Sequence, residues 1–247
     1  MQRRELLGGV AAAALLGAQG LAHGQEFLRA GMTVKYIVPF PPGGLTDVMA
    51  RAVAQKLTEV LKVPVLVENK AGGNAQIGAD QVAKSTPDGS SLLAITLTHA
   101  ANVTLFPDAP YSFMSDLRPV ALLAGSPMLI VVPSNSAITD FRDLMKVAKA
   151  RPLNAGSSGN GTPPHLTMAL FNDINQSQMT HVPYRGGAPS MTDLMGGQLD
   201  IVFSNFPESI AHVKSGRFRA QARCNPARNT ILADLATTHA DGNANRQ

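Results

Sequence analysis

The sequence predicts an α/β fold, and three features of the chain support that prediction. The run VKYIV at residues 34–38 is short, apolar and rich in β-branched residues, which is typical of a strand. A glycine-rich loop follows it, and after that loop Met49, Val53 and Leu57 recur at helical spacing. The same order of strand, loop and helix then repeats along the chain. This repetition predicts doubly wound parallel or mixed sheets with helices on both faces, and ligands at the carboxyl ends of the strands.

The first residues of the chain are typical of a secretory leader. Arg3 and Arg4 precede an apolar run at residues 6–18, and small residues follow around Ala22. That run is shorter than the roughly 20 residues that span a bilayer. We therefore expect a signal peptide at residues 1–24, cleaved after export to the periplasm by the Sec or the twin-arginine route. About 220 residues then remain, which is enough for one large or two small α/β lobes.

Composition argues against several classes of function. Once Arg3, Arg4 and Glu5 are set aside, 19 basic and 16 acidic residues are spread along the chain, too small an excess for a nucleic-acid surface. The chain has no tryptophan and no basic run with interleaved aromatic residues. The single cysteine, Cys224, cannot form an intrachain disulfide, and the histidines show no metal-ligand spacing. We therefore predict no nucleic-acid partner, no metal and no cofactor.

The first glycine-rich loop, PFPPGG at residues 39–44, is a candidate anion site. Gly43 and Gly44 lack side chains where a ligand would approach backbone amides, and Thr46 can cap the helix that follows. The first amides of a helix lack intrahelical partners and carry partial positive charge, so they favour a carboxylate. Asp47 would stabilise this helix start but repel an anion placed close to it. The alternative is a corner between strand and helix that binds nothing.

Further polar segments follow the next predicted strands. The elements predicted here are strands at residues 63–67 and 91–96, and a helix at residues 76–84 that buries Ile77, Val82 and Ala83. The loop after the first of these strands ends at Asn74, and Thr98 and His99 follow the second. A histidine at this position is either a hydrogen-bonded loop residue or a ligand contact.

The second half of the chain repeats this chemistry. We place the crossing into it at residues 125–127 (GSP), which interrupt a strand predicted over residues 120–132. The polar loop NAGSSGNGT at residues 154–162 precedes two prolines, and Pro163 or Pro164 suits the first position of a helix. Its serine hydroxyls and amides are candidates for the second end of a small ligand. The other elements predicted here are helices at residues 141–150 and 189–195, strands at residues 179–182 and 199–203, and a loop at residues 184–187.

No catalytic arrangement is visible in the sequence. The run GSSGNG lacks the glycine spacing of a nucleophile elbow, and no P-loop or GxGxxG motif follows a strand. His165 lies seven residues after Ser158, but at a predicted helix start where capping or solvation explains it. Loops of amides, hydroxyls and helix starts bind anions but transfer no protons. We therefore predict a binding protein and not an enzyme.

Several motifs stand in one order across residues 34–220. They are PFPPGG, AGGNAQIGA, THAANVTLF, GSSGNGTPPHL, HVPYRGGAPSM and MGGQLDIVF. In these motifs the chain resembles the Bug-type periplasmic solute receptors of tripartite tricarboxylate transporters. The resemblance implies a two-lobed, type II periplasmic-binding-protein-like fold that closes on its ligand by hinge motion. It places lobe 1 at residues 25–124 and lobe 2 at residues 125–220.

The resemblance also implies a function and a site. Such a receptor captures a small organic anion, a carboxylate or an amino acid, for the membrane subunits of a transporter, and we expect a monomer. The alternative is a sensor that presents its ligand-bound state to a signalling protein. Family members often carry an acidic residue where this chain has Ser204, so the chain departs from the pattern there. The residues expected to contact the ligand are Phe40, Pro42, Gly43, Gly44, Asp47, Asn74, Thr98, His99, Ser157, Ser158, Gly159, Asn160, Tyr184, Gly186 and Ser204.

The last part of the chain also departs from the family pattern. Gln221, Arg223 and Cys224 stand where the family has an apolar strand that returns to lobe 1, so we expect that strand to be disrupted. We expect residues 221–247 to be an atypical tail that leaves lobe 1 incomplete and part of its core bare. Exposed apolar area on that scale can remove most of a protein's stability. The sequence thus predicts a truncated or frameshifted, aggregation-prone receptor or a non-functional remnant; the alternative is a variant end that replaces the missing elements.

Overall fold

Two sheets organise the chain. A computed structural model describes residues 31–224, apart from the side chain of Arg223, and in this range it contains one sheet of three strands and one of five. The predicted leader and most of the predicted tail lie outside the described residues. Within residues 31–224 no helix is both long enough and apolar enough to cross a membrane.

Lobe 1 is built on the small sheet. Its strands are β1 (Val34–Val38), β2 (Val65–Asn69) and β3 (Ser91–Leu93), and they lie in the order β2-β1-β3. The central strand β1 pairs in parallel with both neighbours, as the repeated strand and helix pattern predicts. The helices are α1 (Leu45–Leu61), α2 (Gln76–Ala83) and α3 (Leu97–Leu105), with a short 3-10 helix (Gly73–Ala75) before α2.

The core of lobe 1 lies between β1 and α1. Val34, Tyr36 and Val38 alternate along β1 and pack against Ala50 and Ala54 of α1. The small alanine side chains let the helix approach the sheet closely. This packing fixes the end of β1, and therefore the PFPPGG loop, against the start of α1.

Helix α2 packs through small residues, so the prediction that Ile77 faces inward is wrong. Ile77 is 55% exposed, whereas Gly78 and Ala79 are buried. A Cβ at Gly78 would lie 2.9 Å from the Cβ of Pro39, closer than side chains pack. Glycine at this position lets α2 rest on the end of β1, and that contact turns Ile77 outward.

Lobe 2 is built on the larger, mixed sheet. Its strands are β4 (Met128–Pro133), β5 (Asn154–Ser157), β6 (Thr180–Pro183), β7 (Ile201–Asn205) and β8 (Phe218–Cys224), in the order β6-β5-β7-β4-β8. Strand β5 is parallel to β6 and β7, and β4 is antiparallel to β7 and β8. The helices are α4 (Phe141–Ala150), α5 (Pro163–Asn175), α6 (Gly187–Met195) and α7 (Phe206–Lys214).

Strand β4 is buried on both of its faces. Leu129 and Val131 belong to one apolar cluster, and Ile130 and Val132 belong to another. Successive side chains of a strand point to opposite faces, so the two clusters lie on opposite sides of the sheet. Helices therefore cover both faces of the lobe 2 sheet, as the sequence predicts.

Two predicted boundaries in this region are wrong. Residues 120–127 form no strand, although the sequence predicts one over residues 120–132, and Val120 and Leu122 are 85% and 94% exposed. Apolar, β-branched residues form a strand only where a neighbouring strand can pair with them, and none of the described strands does so here. The second wrong boundary is the start of the loop predicted at residues 154–162, because its first four residues form β5.

Strand β8 overturns the expectation that polar residues disrupt it. It pairs antiparallel with β4, and Gln221, only 3% exposed, donates a hydrogen bond from Nε2 to the Ile138 carbonyl at 3.1 Å. Cys224 packs against the neighbouring apolar cluster. The backbone acceptor satisfies the Nε2 of the buried Gln221 amide, while its Oε1 has no partner among the described residues. Residues 221–224, assigned to the tail by the sequence, therefore extend the lobe 2 sheet.

Candidate functional site

Two helix starts from different lobes adjoin one carboxylate. The Leu45 amide at the start of α1 donates a hydrogen bond to Glu208 Oε1 of α7 at 3.2 Å. At the start of α6, a Cβ on Gly187 would lie 2.2 Å from Glu208 Oε2. Pro41 and Gly186 adjoin the same place, since a Cβ on Gly186 would lie 3.5 Å from Pro41 Cγ. We call these five residues, Pro41, Leu45, Gly186, Gly187 and Glu208, the inter-lobe corner.

The Glu208 carboxyl is enclosed by this corner. Its Oε2 is buried and has no hydrogen-bond partner among residues 31–224. Burial raises the pKa of Glu208, and nearby donors at Asn205 and Leu45 offset part of the rise. A buried acceptor without a donor is costly, so this oxygen favours a group that brings a donor to it.

The first glycine-rich loop satisfies some of its own amides. The Gly43 amide donates to Asp47 Oδ2 at 2.9 Å, and Arg51 and Asn69 donate to the same carboxylate. Burial would raise the pKa of Asp47, but the hydrogen bonds from Arg51, Gly43 and Asn69 together hold that pKa below its usual value. Gly44, and not Thr46, caps α1. Asp47 therefore stabilises the loop and already occupies part of the predicted anion site.

Thr98 and His99 lie in the first turn of a helix and not in a loop. Thr96 caps α3, and its Oγ1 accepts a hydrogen bond from the Thr98 amide at 3.3 Å. Both Thr98 and His99 are fully buried. The Oγ1 of Thr98 and the Nε2 of His99 have no hydrogen-bond partner among the described residues.

The His99 ring is buried and uncharged. The Thr96 amide donates to His99 Nδ1 at 3.2 Å, and Nδ1 also lies 3.3 Å from the Thr96 carbonyl, so the tautomer of the ring decides which of these two bonds Nδ1 makes. Burial lowers the pKa of His99 to about 4, so the ring is uncharged near neutral pH. The ring lies between two phenylalanines, with centroids 6.3 Å from that of Phe40 and 6.4 Å from that of Phe113.

One face of α3 points toward lobe 2. A Cβ on Gly161 would lie 2.8 Å from Leu105 Cδ1 and 3.8 Å from Ala101 Cβ. Ala101 and Leu105 follow Thr98 at helical spacing and therefore lie on the same face of α3 as Thr98. The hydroxyl of Thr98 is thus a buried, unpartnered donor on the face that meets lobe 2.

Asn74 stands at the same contact between the lobes. It adopts a left-handed conformation with φ 55°. Its Nδ2 donates to Asn102 Oδ1 at 2.7 Å, and Asn102 Nδ2 donates to the Asn74 carbonyl at 2.8 Å. A Cβ on Gly161 would lie 3.3 Å from Asn74 Nδ2. This reciprocal pair fixes the lobe 1 side of the contact. Asn102 lies in the THAANVTLF motif but was not among the predicted ligand residues.

The glycine and serine loop of lobe 2 is braced from behind. Ser157 is fully buried, and its Oγ lies 2.6 Å from His181 Nε2 and accepts the Gly159 amide at 3.1 Å. The His181 ring stacks on His165 at 4.1 Å, and His165 Nδ1 accepts the Gly161 amide at 3.0 Å. Burial, together with His165, lowers the pKa of His181 to about 4. No carboxylate bonds to His181 within residues 31–224, so the Ser157 and His181 pair supports the loop and does not form a triad.

Ser158 lies beside the inter-lobe corner. Its carbonyl accepts the Gly186 amide at 3.2 Å, while its Oγ is buried without a partner among the described residues. Gly159 has φ +123°, and a Cβ there would lie 3.0 Å from the Tyr184 carbonyl, so only glycine fits the turn. The loop therefore holds the Ser158 hydroxyl next to residues that meet lobe 1.

The remaining predicted residues do not converge on this corner. Phe40 packs against the core of lobe 1, and Pro42 and Asn160 are exposed. The Tyr184 hydroxyl donates to Asp193 Oδ2 at 2.6 Å. Burial and this hydrogen bond raise the pKa of Tyr184 to about 12. Ser204 is fully buried and donates to the Asn205 carbonyl.

Within residues 31–224 no group of three or more His, Cys, Asp or Glu side chains could hold a metal ion.

Glu208 was missed by the sequence analysis, although a signal for it exists. Glu208 stands in the first turn of α7, just after β7 ends. The rule that drew attention to Asp47, an acid in the first turn of a helix that follows a strand, applies equally to Glu208.

A cavity of about 490 Å³ lies on lobe 1 beside α3. It is lined by His99, Asn102, Val103, Phe106 and residues of the segment 107–116. No residue of lobe 2 lines it, so it is separate from the contact between the lobes.

Comparison with known proteins identifies the family. The model of the tripartite tricarboxylate transporter family receptor matches residues 49–247. The chain is 33% identical over 237 residues to the UPF0065 protein in the tcbD-tcbE intergenic region of Pseudomonas sp. strain P51, covering 95% of this chain and 70% of that protein. It is 36% identical over 208 residues to protein BugT of Bordetella pertussis, covering 83% of this chain and 64% of BugT.

Solved structures also match most of this chain. Rpa4515 of R. palustris with adipate matches with a TM-score of 0.82 and 32% identity, over 86% of this chain and 72% of that one. MatC from Rhodopseudomonas palustris with bound malate matches with a TM-score of 0.78 and 28% identity, over 87% of this chain and 74% of that one. The periplasmic binding protein BugD also matches, with a TM-score of 0.79.

These matches confirm the resemblance and the fold that it implies. The chain spans 70%, 64% and 61% of the length of three of its curated relatives. The fold is the two-lobed α/β fold of the periplasmic binding proteins, with parallel strands in both sheets. The chain belongs to the receptor family of the tripartite tricarboxylate transporters.

Proposed function

We propose that the chain is an extracytoplasmic receptor that captures a small organic anion between its two lobes. One observation carries the proposal. Among residues 31–224 six buried side-chain polar atoms lack a hydrogen-bond partner, and three of them, on Thr98, Ser158 and Glu208, belong to the elements that meet between the lobes. Such atoms are rare in folded proteins because each one costs free energy. Their concentration where the lobes meet favours a bound ligand that supplies the missing partners.

The donors of this group suit a carboxylate. Thr98 and Ser158 offer hydroxyls from opposite lobes. Hydrogen bonds to an ionised acceptor are stronger than those between neutral groups. The malate and adipate named with two similar structures are both carboxylates, which supports this choice of ligand class.

The family supports the rest of the proposal. Two similar structures are named as periplasmic proteins, and the family is that of transporter receptors. We therefore place the protein in the periplasm, with the membrane subunits of a tripartite transporter as its partners. We assign binding and not catalysis, because Ser157 bonds to His181 and to the Gly159 amide and so stabilises the glycine and serine loop.

A thermal-shift screen of the full chain tests the proposal. Mono- and dicarboxylates and amino acids are compared with neutral sugars and with cations, at low and moderate salt. We expect at least one organic acid to raise the unfolding temperature in a concentration-dependent way, because a ligand that binds only the folded state stabilises it. We also expect Gly43→Val and Ser158→Ala to weaken that effect. Stabilisation by sugars or cations, with none by any acid, would contradict the proposal.

A further inference from the structure

The inter-lobe corner holds an acceptor where an anion site would be expected to hold only donors. Glu208 Oε1 already takes the Leu45 amide at the start of α1, and Oε2 is buried without a partner among the described residues. The start of α6 adjoins the same carboxylate at Gly187. The negative charge favoured by two helix starts is therefore supplied by the protein itself.

A second carboxylate placed in this corner would meet Glu208 at close range. Charges repel more strongly in a water-poor site than in solution, and burial already raises the pKa of Glu208. A donor brought to Oε2 would instead satisfy a buried acceptor. The corner thus discriminates between ligand ends of opposite chemistry.

The unpartnered donors lie on the other elements of the site. Ser158 stands next to Gly186 in lobe 2, and Thr98 stands on the face of α3 that meets Gly161. These hydroxyls suit the carboxylate end of a ligand, whereas Glu208 suits an end that carries hydrogen. The two ends of the ligand must therefore differ.

We propose that Glu208 is a specificity-determining residue, which makes the site select an acid whose second end is an N–H or O–H donor, best an ammonium, over a dicarboxylate. This inference rests on the proposed function, because it presumes that a carboxylate binds between the lobes. It assigns the ligand class of amino acids and related donor-bearing acids to this chain.

The test uses three probes that share one carboxylate and a similar methylene chain. They are 4-aminobutyrate, which ends in an ammonium, glutarate, which ends in a second carboxylate, and butyrate, which ends in a methyl group. Affinities are measured by titration calorimetry with the full chain and with Glu208→Gln. Glu59→Gln is the matched control, because Glu59 is an exposed acid on α1 whose carboxylate pairs with Lys56.

We expect the unmodified chain to bind 4-aminobutyrate more tightly than glutarate by about tenfold or more. Glu208→Gln should shrink this ratio by a similar factor and leave butyrate nearly unchanged, and Glu59→Gln should leave all three affinities unchanged. If the Glu208→Gln protein does not fold, Glu208→Ser serves as a second variant.

Two results would overturn the inference and leave carboxylate binding intact. The unmodified chain could bind glutarate as tightly as 4-aminobutyrate, which needs no variant to establish. Alternatively, Glu208→Gln could change all three affinities by one common factor, which would make Glu208 a latch between the lobes without selectivity. If no carboxylate binds the unmodified chain in the wider screen, the proposed function fails and this inference fails with it.

Discussion

Thr98 and Ser158 each bury a hydroxyl that has no hydrogen-bond partner within residues 31–224. Ser177 is a useful contrast, since its Oγ is also mostly buried but donates to Asn172 Oδ1 at 2.8 Å. Removing a partnered hydroxyl costs a hydrogen bond, whereas removing an unpartnered one relieves a desolvated group. The partnered hydroxyl of Ser177 therefore stabilises the unliganded protein, whereas the unpartnered hydroxyls of Thr98 and Ser158 do not.

Thr98→Val should separate ligand binding from stability. We expect it to change the free energy of unfolding of the unliganded protein by less than about 1 kcal/mol, while weakening the thermal shift caused by a bound acid. Ser177→Ala should lose about 0.5–1.5 kcal/mol and leave the ligand effect unchanged. Urea unfolding with and without ligand measures both quantities. A large loss of stability in Thr98→Val, with ligand binding intact, would show that its hydroxyl serves the fold.

His99 should make the protein less stable in acid. Burial lowers its pKa from 6.5 to about 4, so above pH 6.5 both the folded and the unfolded states hold it neutral and its contribution to stability is complete. As the pH falls from 6.5 to about 4, the unfolded state takes up a proton that the folded state excludes, and stability is lost by up to about 3 kcal/mol.

The variant His99→Gln tests this pH dependence. Glutamine can replace histidine in the capping box with Thr96, so we expect α3 to persist. Urea unfolding at several pH values should show a smaller loss of stability in the variant than in the unmodified chain. Some loss should remain, because burial and His165 also lower the pKa of His181 to about 4. Equal pH slopes in the two proteins would contradict the assignment.

At the scale of the elements, loops with glycine determine how closely the lobes meet. Gly161 and Gly197 both have positive φ, at 66° and 73°. Space around them differs, since a Cβ on Gly161 would lie 2.8 Å from Leu105 Cδ1, whereas a Cβ on Gly197 would have no atom within 4 Å. The two glycines therefore share a backbone requirement but not a contact.

Gly161→Ala and Gly197→Ala form a matched pair. Both variants should lose about 1–2 kcal/mol of stability, because a left-handed conformation is strained with a Cβ. Only Gly161→Ala should also lower the affinity for an organic acid, because its Cβ would hold α3 away from lobe 2. Small-angle scattering with ligand should show a larger radius of gyration for Gly161→Ala than for Gly197→Ala. Equal affinities in the two variants would show that this contact does not limit closure.

At the scale of the whole molecule, lobe 1 exposes several large apolar side chains. Met114, Val120 and Leu122 are 81%, 85% and 94% exposed, and Val103 and Leu105 of α3 are also about half exposed. Contiguous exposed apolar area is a hazard for association and aggregation. The expectation that part of the lobe 1 core is bare stays a prediction, and these side chains are where it can be tested.

We expect the chain from Gln25 to Gln247 to bind a dye that reports exposed apolar surface and to associate as its concentration rises. Replacing Val120 and Leu122 by serine should reduce both effects, because these are the two most exposed large apolar side chains among residues 31–224. Dye fluorescence, light scattering and thermal unfolding measure the outcome. A monomer with a sharp cooperative transition and no dye binding would show that lobe 1 is complete as it stands.

Local chemistry made much of the fold predictable. Strand β1 and helix α4 match their predicted bounds at residues 34–38 and 141–150, and Pro163 begins α5 as expected. Periodicity, glycine loops and proline at a helix start act within a few residues of one another, so the sequence alone carries them. Where a neighbour decides the outcome, prediction failed: residues 120–127 lack a partner strand, and Gln221 finds an acceptor in the Ile138 carbonyl.

The sequence by itself determined the α/β class, the order of strands, loops and helices, and the motifs that mark the receptor family. Only the tertiary structure decided which side chains accept hydrogen bonds from the amides of these loops and helix starts. Asp47 turns back onto the Gly43 amide, and Glu208 reaches the Leu45 amide from 163 residues away along the chain. The physical reason is that a local pattern specifies which backbone groups lack partners, but packing of the two lobes brings distant side chains to those groups.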